Sequence, residues 1–289
     1  MKNLNRWVYA IIGVITLLLA GLVYAWSVMS KSIGASRPDW TAAQLSMTFT
    51  MVMAFFCIGC LIAGMMAKKS QSEDLHYSFR NFIFSQDLCL LPQQVLHRQH
   101  CILVSVILCG LGAGFAYNAV MSTMSLWFPD KQGLISGILL MGFGLSSFII
   151  GKVFAAVTPS DGTDKWQATF RVLGIIIVIV MVICSFFFVK PEAGYNPGAG
   201  SAKAKAVREP ACEVNTGKMA TMPTFWFYYI WAILVSAAGL ALVSQASGIA
   251  SQVGTTVSDG NIATVVGLIS IFNGIGRVIF GGLFDKKGY

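Results

Sequence analysis

The sequence predicts an all-α polytopic membrane protein, because its composition is that of a chain solvated by lipid. Of its 289 residues, 56% are hydrophobic and 11% are charged, and the mean hydropathy is +0.71. A soluble domain carries about 25% charged residues. The formal net charge is +8, but the basic residues lie in short loops and form no basic stripe. A soluble enzyme and a fibrous protein are excluded, no nucleic-acid partner is expected, and the lipid bilayer is the first expected partner.

Seven apolar runs predict transmembrane helices, since a helix needs about 20 mostly apolar residues to cross the hydrocarbon core. Five runs carry no charged residue, and the fourth and seventh carry one each, Lys152 and Arg277. The first run is too long for the core of a signal peptide. In chain order the runs are 7–30, 40–67, 101–129, 134–157, 172–189, 224–247 and 261–284.

An eighth helix, between the second and third runs, has conflicting support. Residues 75–96 include Arg80 and Asp87, and a charge at a helix centre costs about 2.5–3.5 kcal/mol on insertion scales. Hydropathy therefore rejects a span there. The distribution of positive charge favours one. Without this span, eight Lys and Arg residues would lie on the cytoplasmic side and ten outside, which contradicts the positive-inside rule.

With eight spans and a cytoplasmic N-terminus, the charges follow that rule. Of 20 Lys and Arg residues, Lys152 and Arg277 lie within spans, 13 lie on the cytoplasmic side and five lie outside. The five outer residues are Lys31, Arg37, Arg98, Lys165 and Arg171. We therefore expect a multi-pass protein of the cell membrane whose N-terminus and central linker are cytoplasmic.

A sharp change of composition accompanies the doubtful helix. All three histidines, His76, His97 and His100, lie between residues 70 and 101, together with five glutamines. We interpret residues 70–102 as a stretch translated out of frame between two compensating frame changes. The alternative is a polar, functional third helix. The histidines have no metal-ligand partners in the sequence, so no metal and no cofactor are expected.

Two long-range matches indicate an internal repeat. WVY at 7–9 recurs as WFY at 226–228, and GMMAKK at 64–69 recurs as GLFDKK at 282–287. The repeat predicts an N-terminal half of six helices over 1–190, with a degraded third helix at about 75–96. A flexible cytoplasmic linker rich in Gly and Pro follows over 191–223, and residues 224–289 form the first two helices of a C-terminal half. Two equal halves would need about four more helices, so we expect the chain to be C-terminally truncated.

Several motifs resemble those of one transporter family. Residues 276–288, GRVIFGGLFDKKG, look like the eighth helix and following loop of the major facilitator superfamily. A narrower resemblance, to the oxalate/formate antiporter-like family, covers nearly the whole chain except 70–102. It rests on RW at 6–7, YAWS at 24–27, Tyr117, WFPDKQGLISG at 127–137, GFG at 142–144, PTFW at 223–226 and NGIGR at 273–277.

The resemblance implies a major facilitator fold and transport of small carboxylates by alternating access. In that family an Arg on the eighth helix and a Lys on the eleventh face the anion among aromatic side chains. Arg277 matches the Arg, and the sequence has no counterpart of the Lys. Tyr24 and Tyr117 match tyrosines on helices one and four, Phe143 stands where some members have Tyr, and Gln44 matches a polar position on helix two. These five are the expected substrate-binding residues.

The chemistry of the residues leaves alternatives beside this site. A guanidinium matches a carboxylate with two parallel N–H groups, and Arg277 is the only Arg within an apolar run. Arg277 is also about seven residues from Phe284, so it could instead reach the headgroups. Tyr24 and Tyr117 could simply pack between helices. Gly281, Asp285 and Lys286 match the family loop that the resemblance links to conformational change.

The expected function is secondary active transport of small organic anions such as oxalate, formate or monocarboxylates. The resemblance allows coupling to a proton or to a counter-anion, and we expect a monomer. No constellation of catalytic residues is visible, so no enzymatic activity is expected. The alternative is an inactive membrane fragment, the product of a disrupted transporter gene.

Overall fold

The computed structural model describes residues 5–69, 98–158, 165–188, 191, 195, 214–253 and 259–287. Within these ranges the chain is helical and has no strand. The helices are α1 (Arg6–Ala20), a 3₁₀ segment (Gly21–Ala25), α2 (Trp26–Ser36), α3 (Ala42–Lys69), α4 (Arg98–Trp127), α5 (Gln132–Val157), α6 (Lys165–Ser185), α7 (Thr216–Ala220), α8 (Pro223–Val253) and α9 (Asp259–Lys287).

Seven membrane-spanning helices confirm the predicted fold class. Each predicted run corresponds to a helix that is long and apolar enough to cross a bilayer, and the first span, Arg6–Ser36, joins α1, the 3₁₀ segment and α2. The other spans are Ala42–Met66, Val106–Trp127, Gln132–Val157, Lys165–Ser185, Pro223–Val253 and Thr264–Lys287. The doubtful helix at 75–96 lies outside the described residues, and so does most of the linker.

The core of the N-terminal part lies where α1 meets α4 and α5. Leu17 of α1, Val120 of α4 and Leu139 of α5 are almost completely buried there. Gly13 makes this approach possible, because a Cβ atom at this position would come within 2.9 Å of Leu139 Cδ2 and 3.2 Å of Val120 Cγ1. Such close packing buries the apolar faces that the three helices turn toward one another.

Glycines also bring α3 and α4 together. A Cβ atom at Gly110 or Gly114 of α4 would collide with a backbone carbonyl oxygen of α3, and one at Gly59 of α3 would collide with the Leu111 carbonyl oxygen. Gly110 and Gly114 of α4 therefore lie in a helix–helix contact with α3. Small residues allow such approach between membrane helices, where packing rather than the hydrophobic effect drives association.

The α5–α9 seam, where these antiparallel helices touch, joins the two parts of the chain. Its contacts run from one end of the helices to the other and are more extensive than those of any other helix pair among the described residues. Successive contacts lie three or four residues apart, the spacing of left-handed helix packing. The pairs are Gly133 with Gly281, Gly137 with Arg277, Met141 with Gly274, Gly144 with Ser270 and Phe148 with Gly267.

A second contact between the two parts lies at the opposite end of the bundle from Arg6, which we call the Thr158 end. There the Lys31 ammonium of α2 donates to the Ser251 hydroxyl of α8 over 3.4 Å. Val28 of α2 packs in one cluster with Ala246 and Val266. The rest of α8 contacts the described residues little, and its large apolar side chains are exposed, as expected of a surface that faces lipid.

Candidate functional site

Four aromatic side chains from four parts of the N-terminal bundle meet near its middle. Tyr24 of the 3₁₀ segment packs edge-on against Phe143 of α5, with ring centroids 5.1 Å apart. Tyr117 of α4 lies 5.7 Å from Phe143, and Phe56 of α3 lies 5.5 Å from Tyr117 and 6.0 Å from Phe143. We call these four residues the aromatic cluster. It unites three predicted site residues, Tyr24, Tyr117 and Phe143.

The 3₁₀ segment places Tyr24 in this cluster. A Cβ atom at Gly21 would collide with the Phe143 carbonyl oxygen and lie 3.0 Å from Ser146 Cβ. Only glycine therefore lets the first span press against α5 at this level, and Tyr24 follows one turn later. A 3₁₀ stretch within a long helix often marks a functional hinge or a strained sequence.

Arg277 reaches toward the same region from α9. Its Nη1 donates a hydrogen bond of 3.1 Å to the Leu140 carbonyl oxygen of α5. Leu140 precedes Phe143 by three residues, so the two lie next to each other on one face of α5. Arg277 and Tyr24 both lie close enough to interact electrostatically with the Tyr117 hydroxyl. The arrangement groups a guanidinium, two phenol hydroxyls and two phenyl rings.

The position of the guanidinium argues against the headgroup alternative. Leu140 lies eight residues into α5, about 12 Å from the start of that helix at 1.5 Å per residue. A snorkelling Arg277 would extend the other way, toward Lys286 and Lys287 at the end of α9. Its side chain is half-buried instead, and it crosses the α5–α9 seam.

Phe56 was not predicted as a site residue. It lies in an uncharged run and follows another phenylalanine, Phe55. It has no polar atom and no motif to distinguish it from a core residue. Only the contact between α3 and α4 reveals that this ring closes one side of the aromatic cluster.

Gln44 lies apart from the aromatic cluster. Its Oε1 accepts hydrogen bonds of 2.8 Å from the Thr41 backbone N–H and 3.2 Å from the Thr41 hydroxyl, while the Gln44 N–H donates to Thr41 Oγ1. This is a capping box at the start of α3. Gln44 precedes Phe56 by 12 residues, about 18 Å along the helix. Its role as a substrate contact stays a prediction that this arrangement does not support.

The loop motif at the end of α9 contacts the start of α5. The Asp285 carboxylate accepts hydrogen bonds from the Gly133 N–H over 2.8 Å and from the Leu134 N–H over 2.7 Å. A carboxylate stabilises a helix N-terminus through the exposed N–H groups and the helix dipole. Gly281 lies one turn away in close contact with Gly133, and Lys286 is exposed.

The same end of the bundle brings two other motif stretches together. The Arg6 guanidinium donates to both carboxylate oxygens of Asp130, over 2.6 and 3.2 Å, and lies 4.9 Å from the centre of the Phe128 ring. Trp7 packs edge-on against Phe128 at 5.1 Å. The RW and WFPDKQG motifs thus form one contact that ties α1 to the α4–α5 loop.

Comparison with known proteins agrees with this architecture. The family model of the Major Facilitator Superfamily matches residues 8–289. The chain is 24% identical over 290 residues to the oxalate:formate antiporter of Oxalobacter formigenes, covering 98% of this chain and 64% of that protein. The chain thus spans about two thirds of the length of this relative.

Two further relatives resemble the chain at similar identity. An uncharacterized MFS-type transporter, YhjX of Escherichia coli (strain K12), is 25% identical, with 98% of this chain and 67% of that protein aligned. Apicoplast pyruvate carrier 1 of Toxoplasma gondii is 25% identical, with 68% of this chain and 45% of that protein aligned. The resemblance inferred from the motifs is confirmed: this multi-pass membrane protein belongs to the major facilitator superfamily.

Proposed function

We propose that the chain serves secondary active transport of small organic anions of the oxalate, formate or monocarboxylate type, by alternating access. The observation that carries the proposal is the Arg277 guanidinium, held across the α5–α9 seam beside the aromatic cluster. The names of two relatives, an oxalate:formate antiporter and a pyruvate carrier, support the same class of substrate. No enzymatic activity and no cofactor are part of the proposal.

The residues at this site have the chemistry that an anion needs inside a membrane. A carboxylate that leaves water loses its hydration, which hydrogen-bond donors and positive charge must replace. Arg277 stays protonated and offers parallel N–H donors. The Tyr24 and Tyr117 hydroxyls can donate to the remaining oxygen lone pairs, while Phe56 and Phe143 can pack against the carbon frame.

The α5–α9 seam supports the proposed conformational change. Anion binding draws the Arg277 guanidinium away from the Leu140 carbonyl, its present acceptor. At the end of the seam, Asp285 holds the first turn of α5. A rocking motion that opens this end must break those two hydrogen bonds. We propose that Gly281 and Asp285 form a reversible contact between the two parts of the chain, flanked by the exposed Lys286.

Ligand binding and exchange by the purified chain test this function. We expect oxalate, formate or pyruvate to bind saturably to the protein in nanodiscs, measured by calorimetry. Counterflow-stimulated uptake of the labelled anion in proteoliposomes, above that of empty vesicles, would show that the chain by itself also transports. Absence of binding for all three anions contradicts the proposal. Binding without counterflow would favour the product of a disrupted transporter gene.

The proposed orientation places the N-terminus, the loop that contains Asp130 and the 191–223 linker in the cytoplasm. Single cysteines in a background without native cysteines test it. Lys218→Cys, on exposed α7, should react with an impermeant thiol reagent only in inside-out vesicles. Gln252→Cys, exposed at the Thr158 end of α8, should react only in intact cells. The reverse labelling would show that the topology is inverted.

A further inference from the structure

Three buried serine hydroxyls have no hydrogen-bond partner in the part of the chain that the structure describes. They belong to Ser27, Ser146 and Ser147, which are 4%, 0% and 0% exposed. Buried polar groups are nearly always hydrogen-bonded, and each exception needs an explanation. Other hydroxyls buried between these helices are paired: Ser32 donates to the Thr158 carbonyl and Ser185 to the Val182 carbonyl. Burial in this bundle therefore does not by itself leave serines unpaired.

Ser27 and Ser147 lie beside the aromatic cluster. Ser27 follows Tyr24 by three residues and Ser147 follows Phe143 by four, so each lies one helical turn farther along its helix. Tyr24 and Phe143 are themselves in contact. Both spans run from the Arg6 end to the Thr158 end. The two hydroxyls therefore lie at adjacent levels on the Thr158 side of the cluster, whereas Arg277 approaches from the side of Leu140.

Helical periodicity places both serines on the faces turned toward the other part of the chain. Leu140 and Ser147 lie seven residues apart on one face of α5, and Leu140 accepts the hydrogen bond from Arg277. In the first span, Ser27 precedes Lys31 by four residues, and Lys31 reaches Ser251 of α8. Along these faces, among the described residues, a guanidinium thus lies at one level and two unpaired hydroxyls lie beyond it.

Ser146 has a different environment and is the natural comparison. It lies in the contact between the first span and α5, where a Cβ atom at Gly21 would be 3.0 Å from Ser146 Cβ. This approach leaves little space for a ligand. A small side chain is what this position requires, and alanine would meet the requirement as well as serine.

We propose that Ser27 and Ser147 form a second, uncharged end of the anion site and donate hydrogen bonds to an oxygen of the substrate remote from the carboxylate held by Arg277. The inference rests on the proposed function. Ser147 lies about 10 Å beyond Leu140 along α5, and hydrogen bonds of about 2.8 Å at either end of an anion occupy more than half of that distance. The site fits 2-oxo acids, 2-hydroxy acids and small dicarboxylates rather than anions with a single polar end.

Pyruvate and propionate form a matched pair of probes, because both are three-carbon carboxylates and only pyruvate carries an oxo oxygen. We expect the purified chain in nanodiscs to bind pyruvate about tenfold more tightly than propionate. In the double variant Ser27→Ala, Ser147→Ala, pyruvate affinity should fall about tenfold to that of propionate, since two neutral hydrogen bonds are lost. Propionate affinity should stay unchanged, and Ser146→Ala should keep the tenfold preference.

Thermal unfolding of the ligand-free proteins gives a second readout. Removing an unpaired buried hydroxyl leaves stability unchanged or raises it, so the double variant should melt no lower than wild type. The inference is overturned if the double variant still prefers pyruvate, or if its affinity for both anions falls equally. It is also overturned if the double variant melts below wild type, because the hydroxyls then have structural partners. A wild-type chain without preference would show that the serines hold at most a water molecule. A chain that binds neither anion would contradict the proposed function itself.

Discussion

Replacement of Arg277 by glutamine is expected to weaken carboxylate binding at least roughly thirtyfold. The Arg277 guanidinium is half-buried beside the aromatic cluster, with one hydrogen bond to the Leu140 carbonyl. Removing one partner of a buried charged hydrogen bond costs about 2–5 kcal/mol, and about 1.4 kcal/mol corresponds to a factor of ten. Glutamine keeps an amide N–H that can donate to Leu140, so the loss reports on the charge and the paired donors. Calorimetry with oxalate and pyruvate measures the effect.

Two companion variants separate binding from other roles of this cation. Arg277→Lys keeps the charge but not the planar fork, so its affinity should also fall well below wild type. Lys152, the other cation within a predicted apolar run, lies exposed over the Phe148 ring at 5.5 Å, and Lys152→Gln should leave affinity unchanged. If Arg277→Gln binds within about threefold of wild type, or if Lys replaces Arg277 freely, Arg277 is not the anion site.

The helices were predictable because bilayer thickness sets their length and insertion penalises charge. These two constraints act on each span separately, so all seven appear in the local sequence. The 3₁₀ segment within the first span does not appear in the local sequence. Gly21 lies in an uninterrupted apolar run, and its effect depends on Phe143, more than a hundred residues away. The same holds for the Asp285 carboxylate, whose N–H partners at Gly133 and Leu134 belong to a distant helix.

The site was predictable only as far as its residues carry motifs or polar atoms. Motif resemblance indicated Tyr24, Tyr117, Phe143 and Arg277, and the structure brings all four into one region. Phe56 offered no such signal. Gln44 carries a local signal for a different role. Thr41 and Gln44 fit the pattern of a capping box, and a polar residue at the third helical position satisfies the helix start before it serves a substrate.

Gly281→Ala is expected to destabilise the α5–α9 seam strongly. A Cβ atom at Gly281 would collide with the Gly133 carbonyl oxygen and lie 2.7 Å from the Gly133 carbonyl carbon. Both are backbone atoms, so the clash cannot be relieved by rotating a side chain and the two helices must separate. Overpacking of this kind costs about 1–3 kcal/mol. Separation also stretches the Asp285 hydrogen bonds to α5, and hydrogen bonds to charged groups contribute about 1.5–3 kcal/mol each.

Gly276→Ala provides the matched control on the same helix. No atom of the described residues lies within 4 Å of a Cβ atom at Gly276, and alanine favours a helix interior over glycine by about 0.5–1 kcal/mol. We expect Gly281→Ala to melt several degrees below wild type and Gly276→Ala to melt at or slightly above wild type. Tryptophan fluorescence of the protein in detergent measures the unfolding. Asp285→Ala should reproduce part of the Gly281→Ala loss, because it removes the same hydrogen bonds without the collision. Equal melting of the two glycine variants would mean that α5 and α9 do not approach closely at Gly133.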